Sequence, residues 1–127
     1  IYFLFDELWP AMRYSAARRN DCLAQFDQIS KLFGEYQNNF NQLLNKLDKL
    51  PHIGLVIASG LIFSANRDTM VPFDKYTVTQ AFELGIIPDN KISANNYTDY
   101  SNRVVNYIKR NSNRFSDIID FVREARR

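Results

Sequence analysis

The chain has 127 residues, 46% of them apolar and 24% charged, which fits one globular domain over 1–127 with a single hydrophobic core and leaves no argument for disorder. No apolar run approaches the ~20 residues that cross a bilayer, because Asp6 and Glu7 interrupt the opening Ile1 to Phe5 at once. The formal charge of +2 is too small to name a polyanionic partner by itself.

In chain order, Ile1 to Phe5 reads as core rather than as a secretory signal, since it lacks a basic lead and a small-residue cleavage site. Pro10 suits the first turn of a helix running toward Arg19, where its missing N–H costs nothing. Trp9 with Phe3, Phe5 and Leu8 makes either the buried stripe of that helix or an exposed patch for a partner. Leu23, Phe26, Ile29 and Phe33 recur at helical spacing and predict a helix from about Asp21 that Gly34 ends. Phe40, Leu43, Leu44 and Leu47 predict another, closing at Leu50. Pro51 to Gly54 forms a tight turn, Leu55 to Ala65 a further helix, and Asp74 opens one that stops at Gly85.

Met70 to Phe73 is the one stretch ambiguous between strand and coil, and the polar run Asp89 to Asn96 is the clearest loop. Two apolar stripes follow, Tyr100, Val104, Tyr107 and Ile108, then Phe115, Ile118, Ile119 and Val122, with Asn113 placed to cap the second helix. The expected fold is all-α, a compact multi-helix domain.

Single residues narrow the chemistry. Cys22 is the sole cysteine and His52 the sole histidine, so the sequence offers no internal disulfide, no cysteine cluster and no histidine-based metal site; no metal and no cofactor is expected, and a reducing, cytoplasmic setting is. From Ser101 onward seven Lys or Arg face three acids, making this the basic pole. Its terminal arginines either track a phosphate backbone or, as the favoured reading, are solvated cations complementing a helix end. Tyr97, Tyr100 and Tyr107 are either stacking platforms for bases or, as the default, packing residues.

The segment Lys49 to Pro88 holds the informative arrangement of helix, hairpin and helix, within a core of about 38–85. A glycine at 54 lets backbone approach a partner closely, and the N–H groups opening the next helix favour an anion such as a phosphate. Such a contact positions a protein on a duplex without reading its sequence. Lys49 and Arg67 add charge.

LPHIG followed by Ala58, with Asp74 and then Leu84-Gly85 in register, resembles the hairpin and catalytic-aspartate pattern of the helix-hairpin-helix DNA glycosylases of base-excision repair, over roughly a third of the chain. His52 stands where that family has its first hairpin glycine. Val56 stands where bifunctional members have a Schiff-base lysine, so the resemblance implies chemistry of the monofunctional kind, without an imine. It implies Asp74 as the catalytic carboxylate beside an oxocarbenium-like centre, with Lys75 and Tyr76 near a flipped base. It further implies DNA contact by Lys49, His52, Gly54, Leu55, Val56 and Arg67.

Three functions therefore stand side by side. One is a DNA-binding domain that removes a damaged or modified base; another is a non-catalytic helix-hairpin-helix module holding DNA or another protein in a larger assembly; the third is a plain helical interaction domain whose motif match is accidental. Expected partners are the DNA phosphate backbone, a flipped base under the first reading, and a protein that completes the cleft; no membrane is expected.

Overall fold

A computed structural model of the chain describes residues 16–127. Among them seven α-helices follow one another without a strand: α1 (Ala16–Ala24), α2 (Phe26–Glu35), α3 (Phe40–Asp48), α4 (Gly54–Ala65), α5 (Lys75–Glu83), α6 (Tyr97–Arg110) and α7 (Ile118–Ala125). None of these helices is long and apolar enough to cross a membrane. The expectations for Pro10, Trp9, Phe3, Phe5, Leu8 and the opening five residues lie outside the described residues.

The periodicity explains how the helices pack. α4 is apolar around its whole circumference, and every residue from Ile57 to Phe63 is buried, as a helix without a polar face requires. Leu43, Leu44 and Leu47 of α3 are fully buried in the same core, each worth about 2 kcal/mol of transfer from water. Val104 and Tyr97 of α6 and Phe121 and Val122 of α7 complete it. α5 and α7 run antiparallel, since Asp74 before α5 meets Arg126 after α7 while Gln80 Nε2 donates to the Phe121 carbonyl at 2.8 Å.

Two local expectations are corrected and one ambiguity is resolved. The helix predicted from Asp21 to Gly34 is two helices, broken at Gln25, whose backbone leaves the helical region (φ −111°, ψ 19°). Its side chain explains the break: Nε2 donates to the Asp21 carbonyl at 3.2 Å and to the Pro51 carbonyl at 2.8 Å, tying this joint to the later turn. The cap of α7 is Asp117 rather than Asn113; its carboxylate accepts the Asp120 N–H at 2.9 Å, and Asn113 stays in the preceding turn. Met70 to Phe73 is buried coil.

That buried coil obeys the rule that internal backbone groups find partners. The Val71 N–H donates to Ser101 Oγ at 3.2 Å, and Tyr97 Oη donates to the Val71 carbonyl at 3.1 Å. The Phe73 N–H donates to Ser59 Oγ at 2.9 Å. Side chains of α4 and α6 thus replace a strand ladder. The start of α6 is fixed similarly, because Asn41 of α3 accepts from the Thr98 N–H at 2.8 Å and from its hydroxyl at 2.9 Å.

Candidate nucleic-acid interface

Between α3 and α4 the chain reverses over Lys49 to Ile53. The Leu50 N–H donates to the Leu47 carbonyl at 3.1 Å and the Ile53 N–H to the Leu50 carbonyl at 3.2 Å, so two turns follow directly on one another through Leu50. Ile53 is 4% exposed and anchors the turn in the core, whereas Lys49, Pro51, His52 and Gly54 face outward. The residues on either side of Ile53 are both left-handed, His52 at φ 64° and Gly54 at φ 70°. For histidine that conformation costs about 1 kcal/mol or more, and among the described residues no other non-glycine adopts it. A Cβ at Gly54 would meet nothing within 4 Å, so the glycine answers to backbone torsion rather than to space.

The start of α4 lacks a capping side chain at its cap position. Ile53 occupies the cap position and offers none, in contrast to Asn39, Asp74 and Asp117 at three other helices. Leu55 is half-buried and Val56 is exposed on the outer face of this first turn. Arg67 lies past the opposite end of α4, whose twelve residues separate it from the turn by roughly 18 Å.

Asp74 sits at the start of α5 in extended conformation (φ −125°, ψ −177°), and its Oδ1 accepts the Thr77 N–H at 2.8 Å. Its Oδ2 accepts from Nη2 of Arg126 at 2.5 Å. Only 6% of Asp74 and 15% of the Arg126 side chain reach solvent. The Arg126 guanidinium also lies 4.8 Å from the Tyr76 ring centroid, and Lys75 Nζ lies 5.0 Å from it. Asp74, Lys75 and Tyr76 are therefore neighbours, as their adjacency dictates, but their fourth member comes from 52 positions downstream. The reading of the terminal arginines as solvated missed it, and the only sequence signal was a cation-rich last turn with no carboxylate assigned to it.

Both oxygens of Asp74 thus carry hydrogen bonds within the fold. A groove of about 460 Å³ opens between α5 and α7, lined by Lys75, Tyr76, Gln80 and Glu124, but Asp74 does not line it. Thr77 Oγ1 and Arg126 Nε are buried beside Asp74 without a hydrogen-bond partner. Cys22 is equally unsuited to nucleophilic work: burial, reinforced by the neighbouring Asp21 carboxylate, pushes its thiol up to about 11. Among the described residues no group of three or more His, Cys, Asp and Glu is placed to hold a metal ion. Compared with protein-family models, with curated proteins and with solved structures, the chain matches none.

Proposed function

We propose that the chain is a non-catalytic helix-hairpin-helix module that holds DNA by its phosphate backbone, with the turn from Lys49 to Val56 as the contact. The observation that carries this reading is the pair of left-handed residues, His52 and Gly54, around a buried Ile53. Together they project a narrow exposed turn and leave the uncapped start of α4, with its partial positive charge, at the surface. Lys49 and His52 flank that site, and Val56 offers an apolar contact beside it. The carboxylate of Asp74, engaged by the Thr77 amide and by Arg126, favours a structural role over the activation of water.

Binding to short duplexes, undamaged and with an abasic-site analogue, tests the proposal across a salt series. The expected result is salt-dependent binding that Gly54→Asp abolishes and Lys49→Glu, which leaves the backbone unchanged, weakens. Release of a base that Asp74→Asn eliminates would replace this reading with the glycosylase one. Undetectable binding at low salt would overturn it in favour of a protein-docking role.

A further inference from the structure

A second surface differs in kind from the turn. Where α5 leads into the following loop, Gly85, in left-handed conformation at φ 74°, and Ile86 lie against the outer face of α6, and a groove of about 310 Å³ runs between them. Arg103, Asn106, Tyr107 and Arg110 form its other wall. Residues 103, 106, 107 and 110 share one side of a helix, so two guanidiniums, an amide and an aromatic ring face one furrow with no carboxylate lining it.

The two arginines are held differently. Arg103 lies 3.1 Å from Asp99, and its guanidinium is 5.9 Å from the Tyr100 ring. With about half of each side chain exposed, the ion pair orients Arg103 while giving little stability. No ion pair engages Arg110 among the described residues. The negative end of α6 explains a cation at 110 in its last turn but not one at 103, two turns earlier.

Resting on the DNA-holding reading above, we infer that this groove is a second phosphate-backbone contact, in which Arg103 and Arg110 take phosphates of one DNA strand with Asn106 and Tyr107 between them. Seven residues of α6 span about 10 Å, which separates the two guanidiniums enough to engage different phosphates of one strand. The planar guanidinium forks suit phosphate oxygens. The open left-handed corner at Gly85, where a Cβ would meet nothing within 4 Å, leaves the furrow clear for a backbone.

The test is duplex binding by the 127-residue chain over a salt series, comparing the parent with Arg103→Gln/Arg110→Gln, Asp99→Asn and Gly54→Asp. Removing two phosphate contacts lowers the slope of log K against log salt concentration by about two. Asp99→Asn, by freeing Arg103, tightens binding at low salt. An unchanged slope in the double variant, with binding still lost in Gly54→Asp, overturns the groove and leaves the turn standing. A lowered slope in the double variant with Gly54→Asp unaffected keeps the groove and overturns the turn. No binding by the parent overturns both.

Discussion

Asp74 and Asp117 do the same local job in opposite surroundings. Each precedes a helix in extended conformation, and each accepts the N–H three residues on, at 2.8 Å and 2.9 Å. Asp117 is exposed to solvent ahead of α7, and its carboxylate serves there as the helix cap. Asp74 is buried and in addition neutralises Arg126, so two helix ends depend on one carboxylate. An aspartate before a helix therefore announces a cap, and tertiary context alone decides whether it also becomes a keystone.

The comparison breaks most visibly at Asp74. Asp74→Ala removes the cap and strands a largely buried guanidinium whose Nε already lacks a partner, so a loss of about 3–5 kcal/mol is expected in urea unfolding. Combining Asp74→Asn with Arg126→Met keeps a capping oxygen while removing both charges, and should recover most of that loss. If Asp74→Ala costs no more than Asp117→Ala, the ion pair contributes nothing.

Asp117→Ala sharpens the other side, with about 1 kcal/mol expected from a lost surface cap and no change elsewhere. The smallest effect concerns Asp120, in the first turn of α7, whose carboxyl is held below the usual carboxylate value by the side-chain and backbone hydrogen bonds from Ser116, with partial desolvation opposing them. A lowered value stabilises the fold above the ordinary carboxylate pKa, and that contribution fades as pH falls through the folded-state value. Ser116→Ala should therefore lower stability slightly at pH 7, with the difference from the parent shrinking as pH falls through the folded-state value of Asp120; a difference that does not shrink toward acid pH in urea unfolding would contradict it.

Much of the helical plan was readable because it is local. The spacing of Phe40, Leu43, Leu44 and Leu47, the turn signal of Pro51 to Gly54, and the Asp74 and Gly85 punctuation all act within a few residues of themselves. The break at Gln25 was hidden because its cause is a hydrogen bond to Pro51, 26 positions away. Asn113 lost the cap to Asp117 because the turn after α6 takes four more residues than the asparagine run suggests, with Phe115 buried inside it. At the candidate site, adjacency placed Asp74, Lys75 and Tyr76 together, while Arg126 was invisible since nothing in a terminal arginine names its acid. Arg67 illustrates the reverse: sequence proximity to the hairpin segment put it in one group with Lys49, but a rigid α4 holds them apart.

The coil from Met70 to Phe73 has a consequence for how the molecule opens. Its amides at 71 and 73 are gripped by hydroxyls on α6 and α4, respectively, so the segment cannot fray by itself as a surface connection would. Its amides at 71 and 73 are expected to exchange with the helices that grip them rather than with the exposed loops, although the stretch has no regular structure. Asp74 is thus delivered to the start of α5 by a strut rather than by a hinge.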